Sequence, residues 1–323
     1  MKRALITGIN GQDGSYLAEL LIEKGYQVYG TVKRNSVSEN QTSRLDNIFP
    51  TIRDNLIYAD LSDLSSLLSA IHISRPHEIY NLAAQSHVRI SFDQPVYTAL
   101  TTGVGTLNLL EATRIYDPAI KIYQASSSEM FGNNIDEDGF QRESTPMAPV
   151  SPYGCSKVFS YNICRNYRKS YNMHISNGIL FNHESPRRGS NFVTSKVVKT
   201  AVQIKKGKKD ELRLGNLDAA RDWGHAKDYV EAMWLILQED TPDDYVCATG
   251  ISHTVGDLVN YTFDKLKLDP KKYIKKDDKF FRPEELDILK GDSTKLRNKL
   301  GWKPKYTFEG MIDEMIEYWN NKI

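Results

Sequence analysis

Through residue 181 the chain alternates two hydrophobic rhythms. Short apolar runs rich in β-branched and aromatic residues lie at 3–7, 27–32, 55–59, 78–82, 120–126 and 175–181, and each reads as a strand. Between them the apolar positions recur every three or four residues. Leu17, Ala18, Leu20 and Leu21 share one face of a helix over 15–24, and the same period predicts helices over 63–72, 98–115 and 153–170. Strands alternating with helices predict a parallel sheet, wound right-handedly and covered on both faces. After 181 the rhythm breaks into short strands at 212–214 and 245–248, Pro-interrupted loops, and helices over 255–266 and 308–319. The expected fold class is α/β: a Rossmann-type doubly wound parallel sheet with a smaller α/β substrate-binding lobe. Residues 1–180 plus about 219–249 are assigned to the first domain, and about 181–218 plus 250–323 to the second.

Composition narrows the function. At 323 residues, 40% apolar and 26% charged, the chain is globular rather than disordered, and its net charge of +1 argues against a polyanion binder driven by overall field. A single local phosphate pocket remains open. The run at 232–237 is far shorter than the roughly 20 residues of a membrane span and reads as a buried helix, and Ala4-Leu5-Ile6 is too short for a signal-peptide core. Cys155, Cys164 and Cys247 contain no CxxC pair, which points to a reducing, cytoplasmic setting. The seven histidines include no HExxH or HxH cluster, so no metal is expected. The lysine-rich runs at 205–209 and 271–279 are interrupted by acids or lack stacking aromatics; they read as solvated turns, not nucleic-acid patches.

Open parallel sheets bind ligands beyond the carboxyl ends of their strands, and the chemically loaded residues fall there. After the first strand comes Gly8-Ile9-Asn10-Gly11-Gln12-Asp13-Gly14, a GxxGxxG turn opening a helix, the context for a dinucleotide pyrophosphate. The second strand ends in Lys33-Arg34-Asn35 rather than Asp or Glu, which suits the 2′-phosphate of NADP over the free ribose of NAD. Asp60-Leu61 after the third strand is placed at the adenine edge, and Leu82-Ala83-Ala84-Gln85-Ser86 after the fourth near the nicotinamide ribose.

Tyr153 and Lys157 stand at i and i+4 of a helix, so phenol and ammonium project together, and the cation helps lower the phenol pKa. Before them, Ala125-Ser126-Ser127-Ser128-Glu129 ends a strand; Ser127 and Glu129 face the same way if the extended geometry persists. A Tyr/Lys pair alone oxidises an alcohol. A carboxylate beside it allows removal of a proton alpha to the new ketone.

On these residues the chain resembles the extended short-chain dehydrogenase/reductase superfamily and, within it, the GDP-mannose 4,6-dehydratase family. The likeness runs from Ile6 to about Tyr306. It is carried most narrowly by Asn-His-Glu-Ser-Pro-Arg-Arg-Gly at 182–189, Arg-Asp-Trp-Gly-His-Ala-Lys-Asp-Tyr-Val at 221–230, Phe-Arg-Pro-Glu at 281–284 and Leu-Gly-Trp-Lys-Pro at 300–304. The resemblance implies Tyr153 as the C4-hydroxyl base, Lys157 as its electrostatic partner, Ser127 as a hydroxyl partner and Glu129 as the acid/base of elimination. It places Tyr97, His183 and Arg188 at the cofactor with the residues above. Ser86, Ser127, Glu129, Asn182, Lys196, Arg221, Arg282 and Glu285 are placed at a GDP-sugar, while Arg187 is undecided. Ser127 stands where the family commonly has Thr, and Lys33 where Arg is usual. Ser128 precedes Glu129 where dTDP-glucose dehydratases carry Asp.

The reaction so implied oxidises C4 of GDP-mannose, eliminates water across C5 and C6, and returns hydride to C6, with tightly bound NADP regenerated each turnover. Dehydration of a related sugar such as GDP-manno-heptose, or epimerase or reductase chemistry on the same fold, are the alternatives. The polar loop at 35–44 implies, by the same resemblance, contact with a neighbouring subunit and a homo-oligomer, a tetramer or a dimer.

Overall fold

The computed structural model describes residues 1–34, 42–280 and 283–323, so Asn35 and Arg282 lie outside the described residues. Its strands are β1 (Arg3–Thr7), β2 (Gln27–Val32), β3 (Leu56–Tyr58), β4 (Glu78–Asn81), β5 (Lys121–Ser127), β6 (Ile175–Leu180), β7 (Asn182–Glu184), β8 (Leu212–Leu214), β9 (Ala220–His225), β10 (Asp244–Cys247), β11 (Ser252–Thr254), β12 (Ile274–Lys276) and β13 (Ile288–Leu289). Seven of them form one parallel sheet in the order β10-β6-β5-β4-β1-β2-β3. The order reverses between β1 and β4, the switch point at which such sheets open a crevice.

Both faces of this sheet are covered, as its alternating pattern requires. On one, the helices Gln12–Glu23 and Ala226–Gln238 bury Leu17, Leu21, Met233 and Ile236; on the other, Leu64–Ser74, Gly105–Tyr116 and Pro152–Ser170 bury Ile71, Leu109, Leu110 and Cys164. The helix expected over 98–115 is not uniform. A π-helical stretch, Ala99–Val104, precedes the α-helical part.

The second lobe is built on β9, which pairs with β7 and β13 in parallel and β11 antiparallel. Helices Val193–Lys205, Val255–Lys265 and Phe308–Lys322 close over Trp223, Leu258, Phe263 and Met311. The first of these was absent from the sequence reading. Its apolar face is mostly valine, a β-branched residue whose stiffness favours strands locally, and only packing decides for helix. The strand expected at 245–248 is β10, which returns to the edge of the large sheet, whereas β9 belongs wholly to the small one.

Candidate active site

The turn after β1 is shaped by close backbone approach. Gly8 has φ +67°, and a Cβ on Gly14 would lie 2.5 Å from the Gly8 carbonyl oxygen, so a side chain at either position would push the turn open. Gly11 is the helix N-cap and supplies no side-chain acceptor, which leaves the first helical N–H groups available to an anion at the wall of a cleft of about 990 Å³. An uncapped helix start, glycines packed too closely for side chains, and a cleft of that size fit a dinucleotide. Thr7 extends the cradle: its hydroxyl accepts the backbone N–H groups of Leu82 and Ala83, each at 3.0 Å, fixing the loop after β4. Within that loop the Gln85 amide donates to the His87 carbonyl (3.2 Å) and the Thr98 hydroxyl (3.1 Å) and accepts from His87 N–H. Gln85 thereby holds the loop that brings Ser86 to the cleft.

Several predicted cofactor residues are already engaged with one another. Lys33 Nζ pairs with Asp60 Oδ2 at 2.8 Å and donates to the Tyr97 hydroxyl at 3.1 Å. Arg34 lies 5.8 Å from the Tyr58 ring centroid. The Gln12 amide donates to the His183 carbonyl at 3.1 Å and accepts from Ser185 at 2.8 Å, so this side chain ties the glycine turn to the segment around β7. His183 meets Asp13 at 2.8 Å, and Arg188 pairs with Glu184 at 3.0 Å while covering the Phe192 ring. Arg44, in the loop expected to reach a neighbour, donates to the carbonyls of Arg187 and Asn10 of its own chain; 35–41 lie outside the described residues.

The catalytic candidates meet at the ends of β5 and the helix Pro152–Ser170. Ser127, Glu129, Tyr153 and Lys157 are all buried and all line the cleft. The strand alternation expected to carry both Ser127 and Glu129 stops at Ser127. A 3₁₀ turn over Ser128–Met130 follows, capped by the Ser127 hydroxyl accepting Glu129 N–H at 3.2 Å, and this turn brings Glu129 to the cleft. Helix and turn come together because residue 154 is glycine: a Cβ there would stand 2.8 Å from the Glu129 carbonyl oxygen. Ser151 caps this helix by accepting Gly154 N–H at 3.0 Å.

Burial pushes the Tyr153 phenol up to about 12; the Ser127 hydroxyl and Arg188 act against the rise, and Glu129 and Asp13 add to it. Burial pushes Lys157 down to about 8, although its Nζ donates to the Ala125 carbonyl at 2.6 Å. Burial alone thus keeps the phenol neutral and loosens the hold of the amine on its proton. A cationic ring and a sugar oxygen arriving in the cleft would change that balance.

From the second lobe, Asn182, Lys196, Arg221 and Glu285 line the same cleft. Arg221 is buried and donates to the carbonyls of Ala220 and Leu286 and to Glu285 at 3.3 Å. Burial pushes Lys196 down to about 8, and its Nζ sits 3.1 Å from the Phe280 ring centroid. Arg187 is turned away from the cleft, bonding Ser15 and Glu19 over the Tyr16 ring, and is structural. Sequence reasoning missed Phe192, Asn216, Trp223, Lys279 and Phe280 as lining residues; Lys279 belongs to a run read as solvated turn. The arginine-rich motif just before Phe192 was the signal available for it.

A family model described as GDP-mannose 4,6 dehydratase matches residues 5–315. The chain belongs to that family. It is 49% identical to GDP-mannose 4,6 dehydratase 1 of Arabidopsis thaliana over 326 residues, covering 98% of this chain and 89% of the relative. It is 48% identical to GDP-mannose 4,6 dehydratase of Homo sapiens, covering 97% and 90%. Among solved structures, UDP-glucose 4-epimerase of Thermus thermophilus in complex with NAD superposes with TM-score 0.85 at 25% identity, covering 99% of this chain and 100% of that one. dTDP-glucose 4,6-dehydratase of Bacillus anthracis in complex with NAD gives 0.85 at 24%, covering 99% and 97%. The dehydratase family therefore sits on the same Rossmann-type fold as these solved enzymes.

Proposed function

We propose that this chain is a hydro-lyase that converts GDP-mannose to GDP-4-keto-6-deoxy-mannose with bound NADP. The observation that carries the reading is the buried carboxylate of Glu129 on the same wall as Ser127, Tyr153 and Lys157. An epimerase or ketoreductase has no use for a carboxylate there, whereas elimination of water across C5 and C6 does.

Tyr153 takes the C4 hydroxyl proton, with Lys157 favouring the phenolate and Ser127 hydrogen-bonding the C4 oxygen. The resulting ketone acidifies C5–H. Glu129 removes that proton and hands it to the departing C6 hydroxyl, which leaves as water; the proton that Tyr153 took from the C4 hydroxyl then goes to C5, which resets both residues. The bound nicotinamide supplies a hydride acceptor at C4 and a hydride donor at C6, so the cycle is redox-neutral. Arg221, Lys196 and Asn182 from the second lobe, with Arg282 outside the described residues, suit the diphosphate and nucleoside. Preference for NADP rests on the absence of a carboxylate at the end of β2 and on Arg34 and Lys33 beside it. A homo-oligomer, dimer or tetramer, is supported by an apolar stripe of Val96, Leu100 and Val104 beside Phe159, all exposed in the single chain. Residues 1–180 plus about 219–249 are read as the dinucleotide lobe and about 181–218 plus 250–323 as the sugar-nucleotide lobe, except that β9, inside the first range, pairs only within the small sheet.

The test is incubation of purified protein with GDP-mannose and no added reductant. A product lighter by one water is expected. An unchanged mass, or an isomer of the substrate mass, would overturn the reading.

A further inference from the structure

His183 is held by two acceptors at once. Its Nδ1 lies 2.7 Å from the Phe181 carbonyl oxygen and its Nε2 2.8 Å from Asp13 Oδ2. A neutral imidazole has one N–H and satisfies one such partner; two acceptors call for the doubly protonated imidazolium. The other oxygen of Asp13 receives the Gln12 amide at 3.0 Å, which suits a carboxylate rather than an acid. Burial opposes charge on both groups, but their mutual attraction outweighs it: His183 lies above its ordinary value and Asp13, helped also by Arg188, below. Tyr229 stacks against the ring at 4.5 Å, and burial keeps Tyr123 and Cys247, both of which feel the charge of Asp13, in their neutral forms.

The place of this pair gives it consequences. Asp13 sits in the first turn of the helix whose uncapped start faces the dinucleotide cradle, and its charge is felt by Tyr153 and Lys157 across the cleft. A bare carboxylate there would repel a pyrophosphate and oppose ionisation of the phenol. We propose that His183 is a positioning residue whose imidazolium neutralises Asp13, so that the helix start accepts the dinucleotide phosphates and Tyr153 can act as a base. Arg188, which faces both Asp13 and Tyr153, adds to the same field, and Glu129 opposes it. The inference rests on the dehydratase reading for Tyr153 but not for the phosphates.

The test compares His183→Gln, Asp13→Asn and the double variant by two readouts: NADP affinity from a fluorescence titration, and the acid limb of the pH profile of kcat/KM for GDP-mannose. His183→Gln leaves the carboxylate bare; NADP binding weakens about tenfold and the limb moves up by about one pH unit. Asp13→Asn removes negative charge, so it binds NADP about tenfold more tightly than His183→Gln and its limb does not rise, whatever happens to kcat. The double variant returns both readouts to those of Asp13→Asn. Loss of mere packing would move the single variants in the same direction, and that result, or an unmoved His183→Gln, overturns the proposal. Should His183→Gln fail to fold by thermal melt, His183→Asn carries the same comparison, and a raised limb in Asp13→Asn alone is still fatal. If the wild type leaves GDP-mannose unchanged, the functional reading has failed and the NADP titration alone decides this inference.

Discussion

At the scale of single residues, chemistry and environment separate cleanly. Tyr153 and Lys157 are legible in the bare sequence because i and i+4 share a helical face. Their environment is not, since both are buried by segments distant in the chain. Glu129→Gln keeps the shape of the carboxyl group and removes its basicity, so dehydration falls by about 10²–10⁴-fold while C4 oxidation persists as slow accumulation of NADPH absorbance. Dehydration at the wild-type rate would remove Glu129 from the mechanism. The depressed pKa of Lys157 also has a stability consequence. In the ligand-free protein the proton leaves near pH 8, whereas the unfolded chain keeps it to the ordinary lysine range. The unfolded state therefore binds more protons between those values, and this group makes stability rise with pH across the window. Urea unfolding from pH 7 to pH 10 is expected to show wild type gaining about 2–3 kcal/mol relative to Lys157→Met; parallel curves would contradict it.

At the scale of elements, most boundaries follow local pattern, and the exceptions lie where tertiary contacts intervene. The 3₁₀ turn over Ser128–Met130 replaces two residues of expected strand because Ser127 caps it and Gly154 admits it. The π-helical stretch Ala99–Val104 follows the short helix Pro95–Thr98, and Thr98 from the one and Thr102 from the other hold the Gln85 loop, a partnership across the fold that no local pattern announces. The glycine turn is tightly constrained: Gly14→Ala places a methyl 2.5 Å from a carbonyl oxygen, and NADP binding should be lost together with several degrees of thermal stability. A variant that binds NADP as wild type would show that the turn has room. The C-terminal helix Phe308–Lys322 docks partly through Glu314, whose bond from His225 at 2.7 Å holds its carboxyl down to about 2 against the effect of burial. A depressed carboxylate stabilises above its unfolded pKa and loses that contribution as pH falls toward 2. Glu314→Gln should thus cost about 1–2 kcal/mol at pH 7, roughly half of that at pH 3 and little once the pH falls below 2, as read by denaturant unfolding.

At the scale of the whole molecule, the cleft exists only because two sheets meet across it. The seven-stranded sheet supplies the glycine turn, the loop after β4 and the Ser/Glu/Tyr/Lys wall; the small sheet on β9 supplies Arg221 and Asn182, and the segments around it Lys196 and Glu285. The apolar stripe on the outer face of that wall gives the oligomer proposal its test. Leu100→Glu, an exposed position, should shift elution on size-exclusion chromatography toward a single chain without lowering the far-ultraviolet helix signal. An unchanged elution volume would place the interface elsewhere.

By itself the sequence determined the α/β rhythm, the glycine turn in its strand–turn–helix setting, the Tyr/Lys pair and the carboxylate beside them, because each depends on neighbours within a few residues. Tertiary structure alone decided which of the named residues are spoken for. Lys33 is paired with Asp60, Gln12 is tied to β7 and its flank, Arg187 is turned to the first helix, and His183 is bonded to Asp13 from 170 positions away. Those partnerships arise from strand order and close packing, which bring together segments that no local spacing relates.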